Sequence, residues 1–379
     1  MIPIEKEAVL VTPDDIKPTS KHFNVVGTFN PGAMRLPNGD IVLYIRVAER
    51  MRKDEDSKHY LSPRCEGKSK CKIKIDKFLK KDTESKSEMD FVFKDGTKRL
   101  TYLSHFRRVL LDRTGFKVKW IDKKPSFQGL TNDGEYGVED SRIMEMNDTY
   151  YMTYVALSSD SNVSTNLAIS RDLINWERRG IIFRMQNKDV VIFPERIGFR
   201  YISFNRPEGN FQFTPPKIWI SYSDDLKHWG DSKPVVLSTK GHWDYARIGA
   251  GAPPLKTERG WLLIYHGVTE HHKNPKGVLK YIEKLFGENH GEFHTTYSIG
   301  VALFDLKNPG KLIAKSPHPI IFPTKKYERE GFVNNVVFTT GLVVDENGRD
   351  LLLFSGGADR VVTIKKVALK DIMNSLVKV

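Results

Sequence analysis

The sequence predicts an all-β protein, a five-bladed β-propeller with two loop insertions. Three observations predict this class: helical periodicity is nearly absent, short β-branched and aromatic runs alternate with turn residues, and a unit of about fifty residues recurs along the chain. Repeats of this length are typical of propeller blades, which are four-stranded sheets around a central channel. The alternative is a two-sheet sandwich whose turns resemble one another by coincidence.

The predicted strands each follow a turn-prone segment. Ile41–Ile45 follows the turn residues Pro37–Asp40, and Trp261–Tyr265 follows Thr257–Gly260. Glycine, proline, asparagine and aspartate end one extended run and begin the next, because they accept the backbone angles that tight turns require. This spacing predicts many short antiparallel strands.

An internal repeat supports the propeller. The segment 168–176 matches 220–229, which places Asp172 and Asp225 in register 53 residues apart. The next Asp-Leu pair begins at Asp305, 80 residues further on, and an insertion accounts for the excess. Weaker echoes of the motif occur at Asp112 and Asp371.

Two polar stretches interrupt the repeat. Residues 50–100 are rich in Lys, Glu and Ser and are expected to form an insertion, either a lid or a mobile loop. Residues 270–296 form the second expected insertion, with a short helix at 278–286. Outside them, residues 1–379 are expected to form a single catalytic propeller domain.

Composition limits the environment and the partners. The net charge is +13, but lysines concentrate in residues 50–89 and no nucleic-acid-binding motif occurs, so no nucleic-acid partner is expected. Apolar runs have the length of strands, and no membrane partner is expected either. The N-terminal residues lack an apolar signal core, and Cys65 and Cys71 fit no zinc pattern. A reducing compartment is the simpler interpretation of the two cysteines, which predicts a cytoplasmic protein.

Polar residues stand in or beside apolar strands at five places, one for each proposed blade. They are the candidates for chemistry, because the innermost strands of a propeller face its channel. The five places are Asn30 with Arg46, Glu139–Arg142, Glu195 with Asn205–Pro207, Arg247–Pro254 with His266, and Gly356–Asp359.

At these places the sequence resembles glycoside hydrolase family 130, the β-mannoside phosphorylases and related mannosidases. The resemblance spans nearly the whole chain apart from the two insertions, and its motifs are specific only in combination. They are Gly27–Ala33, Gly137–Arg142, Asn187–Glu195, Asn205–Pro207, Gly249–Pro254 followed by Lys256–Glu258, Gly260–Gly267, and Tyr297 with Gly300.

The resemblance implies that Asp140 is the catalytic acid. Glycosidases normally use a pair of carboxylates as acid and base. In this family's variant, the aspartate gives its proton to the mannose 3-hydroxyl, which passes its own proton to the bridging oxygen, while phosphate attacks. The competing interpretation of Asp140 is a turn aspartate paired with Arg142.

The resemblance also implies a phosphate site and a sugar site. A phosphate dianion needs several converging cationic or N–H donors, and five matching positions keep such side chains: Lys188, Arg206, Arg247, His266 and Tyr297. Their retention favours phosphorolysis over hydrolysis. The expected sugar contacts are Asn30, Arg46, Glu139, Asn205 and Asp359, whereas Glu195 is expected to be structural.

Two positions depart from the family pattern and indicate a distinct subfamily. Asn205 stands where many members carry His, and Pro31 stands where a small residue is common. Together with the lysine-rich insertion, they favour β-1,2-mannobiose or short β-1,2-mannans over β-1,4-mannosides as substrates.

The expected function is inverting, reversible phosphorolysis of short β-mannosides to α-D-mannose 1-phosphate. Inorganic phosphate is the co-substrate, and neither a metal nor another cofactor is expected. Three alternatives stay open: a β-mannosidase that uses water with Glu195 as a base, a β-1,4-mannosyl-glucose or β-1,4-mannooligosaccharide phosphorylase, and a non-catalytic carbohydrate-binding propeller. Self-association into a homo-oligomer also stays open.

Overall fold

Strands form nearly all of the regular structure, so the predicted all-β class is confirmed. The structure is a computed structural model and describes residues 1–209, 213–235, 238, 240–270 and 295–379. In these ranges the short helices are two 3-10 turns (Pro13–Asp15 and Lys80–Asp82), α1 (Lys326–Arg329) and α2 (Leu369–Asn374).

The strands follow one another along the chain with short connections. The first ten are β1 (Lys6–Val11), β2 (Phe23–Arg35), β3 (Ile41–Met51), β4 (His59–Glu66), β5 (Lys72–Leu79), β6 (Thr83–Lys86), β7 (Asp90–Phe93), β8 (Lys98–Leu100), β9 (Tyr102–Leu111) and β10 (Val118–Ile121). The next eight are β11 (Gly137–Met146), β12 (Thr149–Ser158), β13 (Asn162–Ser170), β14 (Glu177–Phe183), β15 (Asn187–Ile192), β16 (Tyr201–Pro207), β17 (Trp219–Ser223) and β18 (Gly230–Pro234). The last nine are β19 (Arg247–Ala250), β20 (Leu255–Thr257), β21 (Gly260–Glu270), β22 (Thr295–Phe304), β23 (Leu312–Lys315), β24 (Val337–Val344), β25 (Asp350–Gly357), β26 (Val361–Ala368) and β27 (Val377–Lys378).

Most of these strands build five antiparallel sheets. Sheet 1 has the order β2-β3-β9-β10, sheet 2 the order β11-β12-β13-β14, and sheet 3 the order β15-β16-β17-β18. Sheet 4 has the order β19-β21-β22-β23-β27, with β20 on β21, and sheet 5 has the order β24-β25-β26-β1. The N-terminal strand β1 therefore completes the sheet formed by β24, β25 and β26, which connects the start of the chain to a region near its end.

The predicted repeat is confirmed as a recurring turn. Asp172, Asp225 and Asp305 each follow the third strand of a sheet, and one carboxylate oxygen of each accepts the backbone N–H groups two and three residues on. Asp112 follows β9, and Asp371 follows β26, so the weaker echoes mark the same position in the other two sheets. A short acidic side chain at this position satisfies N–H groups that no strand partner reaches.

Five apolar clusters hold successive sheets together, including the last sheet to the first. Each cluster draws buried side chains from both sheets of a pair, so the apolar surface of every interface is removed from water. Representative members are Tyr44 and Val138 (sheets 1 and 2), Met144 and Val190 (sheets 2 and 3), Phe204 and Trp261 (sheets 3 and 4), Ile264 and Leu353 (sheets 4 and 5), and Phe354 and Leu43 (sheets 5 and 1).

The predicted insertion at 50–100 lies between β3 and β9, which are paired strands of sheet 1. It forms a hairpin, β4-β5, and a three-stranded sheet, β6-β7-β8, rather than an irregular loop. The hairpin docks on the segment before β11, because Cys65 N donates to the carbonyl of Glu135 and Gly67 N donates to Thr131 Oγ1.

A reducing compartment would leave Cys65 and Cys71 as free thiols, and the structure contradicts this expectation. The two residues form a disulfide at the tip of the β4-β5 hairpin, with their Cα atoms 4.9 Å apart. The hairpin folds the chain back on itself, and this brings together two thiols that the sequence separates by six positions.

The second predicted insertion, residues 270–296 with its helix at 278–286, falls almost entirely outside the described residues. Its edges belong to β21 and β22. These strands pair along their whole length, with Trp261 opposite Phe304 at one end and Glu270 opposite Thr295 at the other. Across the described ranges, the chain holds no helix that is long and apolar enough to cross a membrane.

A buried ion pair fixes the chain beside α1. The side chains of Glu328 and Lys365 are almost fully buried, and Lys365 Nζ lies 2.5 Å from Glu328 Oε1. The other oxygen of Glu328 accepts the backbone N–H groups of Thr324 and Lys325. A buried charge that loses its partner is strongly unfavourable, so this pair ties the segment after β23 to β26.

We expect Glu328→Ala to lower the free energy of unfolding by about 3 kcal/mol, since it leaves the buried ammonium of Lys365 with Glu7, at 3.4 Å, as its ion-pair partner among the described residues. Denaturant unfolding measures the change. The matched control is Lys326→Ala, which removes an exposed pair with Glu330 at 3.8 Å and should cost less than about 0.5 kcal/mol. Equal losses in the two variants would contradict the role of the buried pair.

Candidate active site

All five sheets contribute polar side chains to one cavity of about 270 Å³. The strands β2, β11, β15, β19 and β24, which open the five sheets, contact one another or their neighbours around it. Ten of the residues predicted from the sequence line this cavity: Asn30, Arg46, Glu139, Asp140, Lys188, Arg206, Arg247, His266, Tyr297 and Asp359.

Local backbone geometry aims the short acidic and amide side chains into the cavity. Asn30, Asp140 and Asp189 have φ values of 46°, 53° and 53°, and each lies at a register shift in the first strand of its sheet. A bulge inserts an extra residue and redirects a side chain, and Asn and Asp accept the left-handed region better than most residues. The strands therefore bend at the residues whose side chains enter the cavity.

Asp359 reaches the cavity from the three-residue connection between β25 and β26. Ala358 and Asp359 have φ values of 46° and 50°, and Arg360 N donates to the carbonyl of Gly357. Positive φ at both central residues is the geometry of a type I′ hairpin turn. The turn is held from outside, since Val333 N donates to the carbonyl of Ala358, and Ala358 N donates to that of Val336.

Arg46 organises the acidic side of the cavity. Its Nη2 lies 2.5 Å from Glu139 Oε1, and its Nη1 donates to Asp140 Oδ1 at 3.1 Å. Asn30 Nδ2 donates to the same oxygen of Asp140 at 2.9 Å. Arg142, the alternative partner, donates instead to the backbone carbonyl of Asp140. The carboxylate of Asp140 is thus held by Arg46 and Asn30.

The pKa of Asp140 lies below its ordinary value of 3.8. Burial acts in the opposite direction, because it disfavours the charged form, but nearby positive groups and one hydrogen bond outweigh it. The groups that lower the pKa are Arg46, Arg142, Asn30 and Lys188. In the absence of a bound anion, Asp140 is therefore ionised.

Asp359 behaves in the opposite way. Burial raises its pKa to about 7; the Arg46 guanidinium opposes this rise, while the carboxylates of Asp140 and Glu139 add to it. The cavity wall therefore holds one carboxyl group that keeps its proton up to near-neutral pH.

The basic side of the cavity is built around Asp189, which the sequence analysis did not single out. Its Oδ1 accepts a hydrogen bond from Arg142 Nη2 at 2.8 Å, and its Oδ2 forms an ion pair with Arg206 Nη1 and lies 3.4 Å from His266 Nε2. Arg206 and these neighbours hold the pKa of Asp189 well below its usual range, although burial acts against them.

Glu208 joins two of the predicted phosphate ligands. Its Oε1 lies 2.9 Å from Arg206 Nη2 and 3.3 Å from Arg247 Nε. Arg247 Nη1 donates to the hydroxyl of Tyr297 at 3.3 Å. On the other side of the cavity, Lys188 Nζ lies 3.7 Å from Glu139 Oε2. Carboxylates therefore separate and orient each of these cations.

His266 is a neutral donor in this arrangement. Burial lowers its pKa to about 3, and Arg206 Nη1 lies 3.0 Å from His266 Nε2. Because a guanidinium can only donate, Nε2 accepts and the ring proton sits on Nδ1. Within the described residues, this buried Nδ1 has no hydrogen-bond partner. Near neutral pH the imidazole of His266 is therefore uncharged.

Gly249 allows the basic cluster to close. A Cβ atom at this position would lie 2.1 Å from Asp189 Oδ2, 2.5 Å from His266 Cε1 and 2.8 Å from Arg206 Nη1. No other residue type leaves room for three polar side chains to meet over the backbone of β19.

Two residues considered at the sequence level lie outside the cavity. Asn205 is buried in sheet 3, where it accepts a hydrogen bond from Asn187 Nδ2 and donates one to Ser221 Oγ. Glu195 pairs with Lys256 at 2.6 Å and is partly exposed to solvent. Asn205 therefore bonds to its neighbouring strands, because its side chain alternates away from the side that Arg206 faces.

The sequence contains a signal for the missed carboxylates. Asp189 stands beside Lys188 at the start of an apolar run, and Glu208 follows the Asn-Arg-Pro motif directly. A carboxylate next to a predicted phosphate ligand is the residue type that offsets buried positive charge. The completed site combines an anion-binding cluster with carboxylates suited to sugar hydroxyls.

Comparisons with known proteins agree with this geometry. The glycoside hydrolase 130 family model, described as β-1,4-mannooligosaccharide phosphorylase, matches residues 115–378. A β-1,2-mannobiose phosphorylase of Listeria innocua is 32% identical over 380 residues, which cover 98% of this chain and 97% of that protein. A 1,2-β-oligomannan phosphorylase of Thermoanaerobacter is 35% identical over 264 residues, 69% of this chain and 78% of that protein.

The fold is similar to a solved structure as well. The complex of the Listeria innocua β-1,2-mannobiose phosphorylase with β-1,2-mannobiose matches with a TM-score of 0.82 and 30% identity, and the match covers 97% of this chain and 96% of that one.

We expect Asp359→Asn to change how stability depends on pH. The folded-state pKa of about 7 exceeds the ordinary value of 3.8, so the stabilising contribution of Asp359 is complete below pH 4 and is lost as the pH rises through 7. The variant cannot ionise and should lose less stability between pH 5 and 8, by up to about 1.4 kcal/mol for each pKa unit involved.

Unfolding free energies at pH 5, 6, 7 and 8 measure this difference. Asp160→Asn, a change at an exposed turn carboxylate, serves as the matched control and should follow the native curve. Parallel curves for the native protein and Asp359→Asn would contradict the raised pKa.

Proposed function

This chain belongs to glycoside hydrolase family 130 and is a β-mannoside phosphorylase, and we propose that it cleaves short β-1,2-linked mannosides with inorganic phosphate. The products are α-D-mannose 1-phosphate and the shortened acceptor. The observation that carries the proposal is the cluster of Lys188, Arg206, Arg247 and His266 in the same cavity as Asp140.

The basic cluster suits a phosphate dianion. Arg206 and Arg247 present guanidinium groups beside the imidazole of His266 and the hydroxyl of Tyr297. Charge-assisted hydrogen bonds from such donors are stronger than neutral ones. Water as the attacking group would not require so many converging cations, which argues against the hydrolase alternative. Glu195, its expected base, pairs with Lys256 and is not among the residues that line the cavity.

The sugar is proposed to bind on the acidic side. Asn30 lines this wall, and its Nδ2 holds the carboxylate of Asp140. Glu139, Arg46 and Asp359 line the same wall. The mannosyl anomeric carbon then lies between the carboxylate of Asp140 and the basic cluster.

The proposed reaction is one inverting displacement. A phosphate oxygen forms a bond to the anomeric carbon as the bond to the bridging oxygen breaks. Asp140 gives its proton to the mannose 3-hydroxyl, whose own proton moves to the bridging oxygen. The acceptor leaves with a hydroxyl group, and Asp140 is left as a carboxylate that must regain a proton before the next turnover.

Phosphate binding supplies the protonated form of Asp140. Lys188 is one of the groups that lower the pKa of Asp140, and it also lines the wall of the proposed anion site. A bound dianion offsets this positive charge and adds a like charge, so it raises the pKa of Asp140. The acid thus becomes competent when the nucleophile is in place.

The β-1,2 linkage rests on the relatives. Three relatives above 30% identity carry names with β-1,2 linkages, whereas the family model is described by a β-1,4 activity. A β-1,4-mannoside phosphorylase therefore remains the second candidate, and linkage analysis of the product made from α-mannose 1-phosphate and mannose separates the two.

We further infer that the five sheets are the blades of one five-bladed propeller and that the chain is a single catalytic domain. The support is the closed series of apolar interfaces and the pairing of β1 with β26. A cytoplasmic location stays a prediction, and the Cys65–Cys71 disulfide removes one of the arguments for it.

We expect turnover to require phosphate and Asp140. In phosphate-free buffer the protein should not cleave β-1,2-mannobiose, and Asp140→Asn should lower kcat by about 10³-fold in phosphate, since positioned proton transfer contributes roughly 10²–10⁴-fold. Release of mannose 1-phosphate measures both effects. Undiminished cleavage without phosphate would reject the proposed function, and sugar binding by Asp140→Asn separates loss of catalysis from loss of folding.

We expect Gly249→Ala to weaken phosphate use selectively. The added methyl group displaces Asp189, His266 and Arg206, so the KM for phosphate should rise at least about tenfold, which corresponds to about 1.4 kcal/mol. Gly230→Ala is the matched control, because a Cβ atom there meets no atom within 4 Å. An unchanged KM for phosphate in a folded Gly249→Ala protein would place the anion site elsewhere.

A further inference from the structure

A second, more open cavity of about 600 Å³ lies beside the active site. We call it the outer cavity and define it by six of its lining residues: Asp14, Asn24, Arg50, Glu88, Phe332 and Arg360. No step of the proposed reaction uses it.

The outer cavity and the catalytic cavity share a wall. Phe332 lines both of them. Two pairs of consecutive residues also divide between them: Met89 and Asp359 line the catalytic cavity, while Glu88 and Arg360 line the outer one. The two cavities are therefore adjacent at Phe332.

The wall is held in place by backbone contacts. Arg360 lies at the end of the type I′ turn that presents Asp359, and its carbonyl accepts a hydrogen bond from Thr28 N. Glu88 belongs to the insertion, where its carbonyl accepts a hydrogen bond from Thr101 Oγ1 and its carboxylate lies 3.9 Å from Arg50 Nη1. The insertion thus supplies part of the outer cavity.

The chemistry of the outer cavity suits a sugar. Two guanidinium groups, two carboxylates and one amide provide donors and acceptors for neighbouring hydroxyl groups, and Phe332 offers an apolar surface for the face of a pyranose ring. The catalytic cavity, at about 270 Å³, is smaller than the roughly 300–1,000 Å³ of typical small-molecule sites, and phosphate occupies part of it. Additional sugar units must therefore lie outside it.

We propose that the outer cavity binds the acceptor mannosyl units that lie beyond the unit directly attached to the scissile bond. This inference rests on the proposed function and deepens it, because it makes the protein selective for chains of three or more mannosyl units. Arg360 and Glu88 are the specificity-determining residues, and the lysine-rich insertion serves acceptor recognition through Glu88.

The test compares phosphorolysis of β-1,2-mannobiose and β-1,2-mannotriose at saturating phosphate. In the native protein, kcat/KM should be at least about tenfold higher for the trisaccharide, equivalent to about 1.4 kcal/mol of added binding. Arg360→Ala and Glu88→Ala should each reduce the ratio of the two kcat/KM values towards one. Arg259→Ala, at an exposed turn of sheet 4 outside both cavities, is the matched control and should keep the native ratio.

Calorimetric binding of mannotriose to Asp140→Asn, with and without Arg360→Ala, gives a second readout that needs no turnover. The second substitution should weaken binding of the trisaccharide about tenfold. Equal kcat/KM values for the two substrates in the native protein, or a native ratio in Arg360→Ala, would overturn the outer-cavity proposal and leave the proposed function standing. Failure to consume phosphate with either substrate would reject the proposed function itself.

Discussion

The buried carboxylate of Asp189 allows the positive groups of the active site to stand together before any phosphate arrives. Arg142 and Arg206 repel each other strongly in a region from which water is excluded, and an anion between them offsets that repulsion. Glu208 does the same for Arg206 and Arg247. The cluster is therefore preorganised for the nucleophile, and the ligand does not have to assemble it.

The sheet interfaces and the bulges in the first strands have separate roles in this arrangement. Their interfaces are apolar and set the positions of the first strands, whereas bulges in those strands turn single polar side chains into the cavity. Because each sheet contributes only a few groups, acid and base contacts come from elements far apart in sequence. Asn30 and Asp140, for example, are hydrogen-bonded across two sheets.

Much of the site could be predicted because its residues interrupt apolar strands and match family motifs. Lys188, Arg206 and His266 were identified in this way, and their side chains do share one cavity. Asp189 and Glu208 were missed because their role appears only when the neighbouring cations are in place. Asn205 was misplaced because a motif does not reveal which face of a strand a residue occupies, and the cysteine pairing depended on a hairpin within the insertion.

The left-handed backbone at Asn30, Asp140 and Asp189 restricts which side chains these positions can accommodate. This conformation costs most other residues roughly 1–2 kcal/mol, and asparagine, aspartate and glycine bear it best. A glutamate in place of Asp140 would strain the backbone, and its longer side chain would place the carboxylate elsewhere. Substitutions in the surrounding loops can therefore change substrate specificity more readily than substitutions at the acid. The bends in the strands keep the catalytic geometry unchanged when the loops differ.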